Sequence, residues 1–204
     1  MIELKQKRLN GGARNEAYLH ISNDVDYIWY IDSDDWVKDK YVLEKINKSL
    51  YDQPDVLFVG MDVYKNGEEQ NIFAPRYDDL YQALNGWSGS CGKVIKKEIA
   101  TKQECLYNEG TLKEDKNQHF KICLNINSFK CLPDGVYVWN RTNTKSVTTN
   151  RNTPLWKTST IRHLADTIEL YMIYKERDPK IDKILEDRAK MCWQEVLDKG
   201  DRQF

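Results

Sequence analysis

The stretch Tyr27-Ile28-Trp29-Tyr30-Ile31-Asp32-Ser33-Asp34-Asp35-Trp36 brings two opposed chemistries together at one point of the chain. Its first half, Tyr27 to Ile31, is apolar, aromatic and β-branched, the composition of a buried strand. Three carboxylates follow at once: Asp32, Asp34 and Asp35. Like charges a few ångströms apart raise one another's pKa, so such a cluster at a strand end calls for a cation or a strong donor. Mg2+ and Mn2+ suit it, because hard cations take carboxylate oxygens. The same residues also suit a solvated turn whose Asp and Ser side chains cap the next helix.

The length of 204 residues allows one domain with a real core, or one domain plus an appendage. The 31 basic and 32 acidic residues leave a formal net charge of -1, which points neither to nucleic acid nor to an anionic membrane. Five cysteines without regular spacing argue against a disulfide framework and read as reduced packing residues. No apolar run is long enough to span a bilayer. Residues 1–9 are too basic and too poor in apolar residues for a signal peptide. The expected location is the cytoplasm, or the inner membrane surface.

The apolar spacing predicts a short strand over Ile2 to Lys7, a turn at Asn10-Gly11-Gly12 and a helix over Ala13 to Ile21, with Ala17, Leu19 and Ile21 available for packing. Arg14 lies in the first turn of that helix, where a cation opposes the dipole, so it suits a phosphate or an acidic neighbour better than helix stability; an exposed surface arginine is the alternative. A helix is expected over Lys40 to Leu50, then the buried strand Val56-Leu57-Phe58-Val59, a hairpin turn at Asn66-Gly67 and a returning strand to Phe73. Tyr77 to Leu84 reads as a short helix, Phe120 to Leu124 as part of another, and Lys130 to Trp139 as a strand turned at Pro133-Asp134-Gly135. This alternation is an α/β pattern. Two amphipathic helices close the chain. One carries Ile161, Leu164, Ala165, Ile168, Tyr171 and Met172 on a stripe, the other Ile181, Ile184, Leu185, Cys192 and Val196. A packed helical hairpin is the plain reading and a partner-binding face the alternative.

Asp32-Ser33-Asp34-Asp35 resembles the Asp-x-Asp motif of family 2 glycosyltransferases, which have the GT-A fold. Upstream, Asn10-Gly11-Gly12-Ala13-Arg14-Asn15 resembles that family's Asn-Gly-Gly…Ala-Arg-Asn turn. Trp87 to Lys97 is similar to its Trp-Gly-Lys-Leu-Tyr-Lys-Arg element, although a glycine-rich connector into a strand would look the same. Asn108 to Asp115 resembles its Gly…Glu-Asp helix start, although two acids there also suit the helix dipole. Tyr137-Val138-Trp139-Asn140-Arg141 and Ser146-Val147-Thr148 resemble its Tyr-x-Tyr-x-x-Arg…Ser-x-Thr close, with Trp139 replacing a Tyr and Arg141 falling nearer the aromatic. The resemblance spans about Leu4 to Thr149. The family's earlier Pro-x-Tyr-Asn and Asp-Asp-Gly-Ser segments do not occur.

What the resemblance implies is a GT-A-like mixed sheet flanked by helices over residues 1–150, incomplete at the N-terminus, with a helical appendage over residues 151–204. It implies an inverting, metal-dependent glycosyltransferase moving a sugar from a nucleotide-sugar donor to a glycan or other hydroxyl acceptor. Asp34, with Asp32 and Asp35, would hold Mn2+ or Mg2+. Arg14, Asn15, Asp32 and Asp34 would bind donor. Trp87, Lys93 and Trp36 would face the acceptor. Asp115 would be the general base and Glu114 its modulator, while His119 packs or orients rather than ligates. Asp34 is expected at the end of a central strand, in the same cleft as Asp115, with Glu114 pointing elsewhere. An exposed sheet edge beside the Ile2 to Lys7 strand would favour self-association. The alternative is a non-catalytic relative that binds a carbohydrate or a protein partner.

Overall fold

A computed structural model describes residues 8–142 and 153–200, with side chains to residue 198. The expected Ile2–Lys7 strand, residues 143–152 of the polar loop expected over Asn143 to Thr153, and with them Ser146-Val147-Thr148, lie outside the described residues.

The elements run α1 (Leu9–Tyr18), β1 (Tyr27–Trp29), β2 (Trp36–Val37), α2 (Val42–Ser49), β3 (Val56–Lys65) and β4 (Glu68–Phe73). They continue with α3 (Leu80–Leu84), β5 (Lys93–Lys96), α4 (Lys97–Ala100), α5 (Glu114–Cys123), β6 (Phe129–Asn140), α6 (Pro154–Tyr174) and α7 (Pro179–Gly200). One mixed six-stranded sheet has the order β1-β5-β3-β6-β2, with β4 also paired to β3. β3 is its axis. It runs antiparallel to β5 through Val56–Phe58 and to β4 through Met61–Lys65, and parallel to β6 along its length.

The sequence of β3 explains that position. Val56 to Val63 is buried without a break, as expected of a strand covered on both faces. Val56 and Phe58 join the larger core with Leu84, Ile95, Phe120, Leu170 and Leu185. Leu57 and Val59 point the other way, toward Val42 and Ile46 of α2. Helices α3, α5, α6 and α7 thus lie on one face, and both C-terminal helices share the main core.

Pro133-Asp134-Gly135 does not break β6. The register passes from Val59–Leu132 to Gly60–Gly135, so two extra residues bulge out of a continuous strand. A proline suits a bulge because it has no ladder donor to lose. A side chain on Gly60 would start 2.4 Å from the carbonyl oxygens of both Pro133 and Asp134.

Four local expectations are corrected. Helix α1 begins at Leu9, so Gly11 and Gly12 lie inside it, and Ala17 and Leu19 are exposed. The glycines serve close packing there: a Cβ on Gly11 would lie 2.9 Å from the Asn108 carbonyl. The strand after α1 is only Tyr27–Trp29, half-buried, and it pairs with β5 alone among the described residues. The acidic turn therefore follows a short strand that has one partner among the described residues. Last, α6 is turned over. Ile161, Ile168 and Met172 are 58%, 46% and 55% exposed. Its buried face is Trp156, Ser159, Thr160, His163, Asp166, Thr167 and Leu170. Hydrogen bonds decide that orientation: the Leu112 amide donates to Ser159 Oγ at 2.9 Å, and Thr167 Oγ1 donates to Asn117 Oδ1 at 3.4 Å. The α7 stripe packs as expected through Ile181, Ile184, Leu185 and Cys192.

The bulge yields a test. Gly60→Ala is expected to destabilise the fold by about 3 kcal/mol, since backbone carbonyls cannot give way. Gly67→Ala, at φ +88° but with nothing within 4 Å, should cost only about 1 kcal/mol. Urea midpoints at unchanged m-value measure both, and equal losses would contradict the packing argument.

Candidate active site

The acidic turn is held from β6. Asp35 accepts from the Asn140 amide at 2.8 Å and from the Tyr137 hydroxyl, while the Asp32 amide donates to that same hydroxyl at 3.3 Å. Burial pushes the Asp35 carboxyl up, and the Tyr137 and Asn140 bonds oppose the rise. The three acids thus divide. Asp35 anchors the turn, Asp32 turns toward Arg14, and Asp34 is exposed. No group of three or more His, Cys, Asp or Glu is arranged to hold a metal among the described residues. Asp32 and Asp34 could each offer a carboxylate oxygen to a hard cation that keeps several waters. They do not make a closed three-carboxylate cage.

Arg14 is the centre of the site. Its guanidinium donates to Asp32 Oδ1 at 3.0 Å, to Glu114 Oε1 at 3.1 Å and to Ser90 Oγ at 3.3 Å. The rings of Tyr30 and Tyr107 lie 5.5 Å and 5.2 Å from it, within cation–π range. Acidic neighbours of the expected kind are present, and Arg14 is not an exposed surface arginine. Asn15 grips the main chain of Tyr107 instead of facing the cleft: it accepts from the amide at 2.9 Å and donates to the carbonyl at 2.9 Å.

Glu114 and Asp115 open α5 and face a cleft of about 420 Å³, whose walls include Arg14, Asp32, Asp35, Trp87 and Trp139. Both acids line it, so Glu114 does not point elsewhere, and Asp34 lies outside the lining. Burial raises the Glu114 carboxyl to about 7, with Asp115 adding to the rise and Arg14 opposing it. Burial also raises Asp115, against the pull of Lys93 and Arg14. A larger cavity of about 680 Å³, between Tyr27, Tyr51 and Lys96, holds none of these groups.

The acceptor-side candidates separate as well. Trp87 lines the cleft and packs edge-on against Trp139 at 6.0 Å. Trp36 packs on Tyr64 at 5.4 Å and is not part of the lining. Lys93 is fully buried, and its ammonium donates to the Ser88 and Gly89 carbonyls at 2.9 Å and 2.7 Å. Burial lowers its pKa to about 8. It shapes the 88–91 loop, which forms part of the cleft wall. His119 is buried and bonds the Ala83 carbonyl at 3.0 Å, a packing role as expected. Trp156 and Glu195 were not anticipated from the sequence, and Tyr137 and Lys113 appeared there only within longer motifs, with no role of their own. Trp156 and Glu195 sit in long helices whose apolar spacing says nothing about a distant cleft.

The state of Glu114 has a consequence for stability. The folded chain holds this proton to about pH 7, whereas an ordinary glutamate releases it near 4.5. Stability should therefore fall as pH rises from about 4.5 to about 7 and level off above. Glu114→Gln keeps an acceptor for Arg14 and should remove most of that fall, on the order of 3 kcal/mol. Urea unfolding of both proteins between pH 4.5 and pH 8 measures it, and parallel pH curves would show that Glu114 is not a raised acid.

Comparisons with known proteins agree with this architecture. Solved structures of S. aureus TarS 1-349 are similar. The complex with UDP-GlcNAc matches with a TM-score of 0.65 at 16% identity, over 97% of this chain and 55% of that one. The complex with UDP matches with a TM-score of 0.55 at 15% identity, over 92% and 50%. This chain thus spans about half the length of the structures it matches, and the likeness is one of fold: a GT-A mixed sheet with its flanking helices and a C-terminal helical pair. A search of curated proteins finds no match. The family model for glycosyl transferase family 2 matches residues 1–123, well over half of the sequence, and the chain belongs to that family.

Proposed function

We propose that the cleft is the transfer site of an inverting glycosyltransferase that uses a nucleotide-sugar donor and a divalent ion. The observation that carries this reading is the meeting of two acid groups in one cavity: Asp32, tied to Arg14, and the Glu114–Asp115 pair at the start of α5. The UDP-GlcNAc bound to the similar TarS structure supports a nucleotide-sugar donor of that kind.

In this reading Asp115 takes the proton of an acceptor hydroxyl as its oxygen attacks the anomeric carbon. The bond from that carbon to the donor phosphate breaks, and the nucleoside diphosphate leaves. One carboxylate suffices because no covalent intermediate forms. Burial makes Asp115 a stronger base than a solvated carboxylate. Glu114, bonded to Arg14, fixes the first turn of α5 and so the position of Asp115. Asp32 and Asp34 would hold Mn2+ or Mg2+, which supplies charge neutralisation for the leaving diphosphate. Among the described residues no helix is long and apolar enough to cross a membrane. A cytoplasmic place in polysaccharide synthesis fits a nucleotide-sugar donor, and β1, which has a single partner strand among the described residues, offers a route to self-association.

The test separates binding from chemistry. Asp115→Asn is nearly isosteric and should lower transfer by about 10²-fold or more while leaving donor and Mn2+ affinity in place. Asp34→Ala should weaken Mn2+ binding by calorimetry, whereas Asp35→Ala should mainly destabilise the fold, by about 1–3 kcal/mol, as the Tyr137 and Asn140 groups lose their acceptor. Full transfer by Asp115→Asn would remove it as base. Equal Mn2+ binding by Asp34→Ala and wild type would remove Asp34 from the metal site.

A further inference from the structure

Four side chains besides the acids and Arg14 help to line the cleft, and two of them, Trp156 and Glu195, come from the C-terminal helices. Trp156 is on α6, Glu195 is on α7, Lys113 immediately precedes the acid pair, and Trp139 is near the end of β6; all four line the same cavity as Asp115. Lys113 joins them. Its ammonium, on a side chain only 4% exposed, lies 2.6 Å from Glu195 Oε1 and 5.4 Å from the centre of the Trp156 ring. The residue next to the acid pair is therefore bound to both C-terminal helices. Opposite, Trp87 is braced by Phe73 at 5.8 Å and by Trp139 at 6.0 Å.

We propose that the C-terminal helical pair completes the acceptor subsite, and that this subsite takes a neutral pyranose ring held between Trp87 and Trp139 against a wall that buried Trp156 helps to form, with Glu195 accepting from a ring hydroxyl. The proposal rests on the glycosyl-transfer reading and adds the class of acceptor and the residues that choose it. Indole faces offer broad, rigid, apolar contact with polar edges, which matches the C–H face and hydroxyl rim of a pyranose. Charge points the same way. Among the described residues the cleft is lined by Asp32, Asp35, Glu114, Asp115 and Glu195 against Arg14, Lys113 and Lys116. Arg14 is already bonded to Asp32 and Glu114, and Lys113 to Glu195. A phosphorylated acceptor would meet surplus carboxylate, while a neutral polyol meets hydrogen-bond acceptors.

The chain has six tryptophans, and Trp29, Trp36 and Trp193 lie outside the cleft lining, so they serve as internal controls. The indole N–H resonances of the 15N-labelled protein are followed while methyl β-D-glucopyranoside, methyl N-acetyl-β-D-glucosaminide or glycerol 3-phosphate is added, with no donor present. The expected result is a saturable shift of the Trp87, Trp139 and Trp156 signals with at least one neutral glycoside and none with the phosphate. Glu195→Gln should weaken that binding about tenfold or more and raise the acceptor KM with little change in donor Kd. Trp139→Leu, at a half-buried position, should do the same if the Glu195 variant folds poorly. Shifts confined to the three control tryptophans, no shift with either glycoside, or an equal response to glycerol 3-phosphate would overturn the proposal. Glycoside binding without transfer to any acceptor would instead overturn the transfer reading and leave the subsite standing.

Discussion

The site is organised by one part-buried cation. Arg14 lies between Asp32, which follows β1, and Glu114, which opens α5, with Tyr30 and Tyr107 against its guanidinium. A guanidinium keeps its charge in such surroundings and offers a fork of donors that can bridge two carboxylates at once. Without it, Asp32 and the Glu114–Asp115 pair would share one cleft with little to offset their repulsion. Truncating a partner in a buried ion network leaves the others uncompensated, at a cost of several kcal/mol. Arg14 thus couples α1, the acidic turn and α5, which are far apart in sequence. The close approach of α1 to α5 needs glycine at position 11, where a Cβ would lie 3.1 Å from Glu114 Cγ.

The same network explains the unequal fates of neighbouring acids. Asp35 is bonded by Tyr137 and Asn140, Asp32 meets Arg14 through one carboxylate oxygen, and Asp34 stays at the surface. Glu114 is buried against Arg14, and Asp115 next to it forms no ion pair among the described residues. Adjacent residues of one type are given different roles by what packs on them, the usual way in which one site obtains groups of different proton affinity.

Much of this was legible in the sequence, for definite physical reasons. The unbroken run at Val56 to Val59, the Asn66-Gly67 turn and the apolar spacing of α2 and α7 each encode a local structure strongly. Asp32, Arg14, Glu114, Asp115 and Trp87 were singled out as residues and do line one cleft. What the sequence hid was context. Gly11-Gly12 reads as a turn unless the helix packed against it is known. The apolar stripe of α6 implied an inward face that hydrogen bonds from Ser159 and Thr167 reversed. Lys93 suggested a ligand-facing cation, but its ammonium is spent on two loop carbonyls. Trp156 and Glu195 carry no local signal, since only the tertiary packing of α6 on α5 and of α7 on α6 brings them to the cleft.

The central claim is that a single displacement takes place in this cleft, with one base and no covalent intermediate. The most direct measurement is the anomeric configuration of the first-formed product, read by proton NMR during transfer from an α-linked nucleotide sugar in the presence of Mn2+. The account predicts a β-linked product from the first turnover. An α-linked first product would require a second displacement or another nucleophile, and would contradict it.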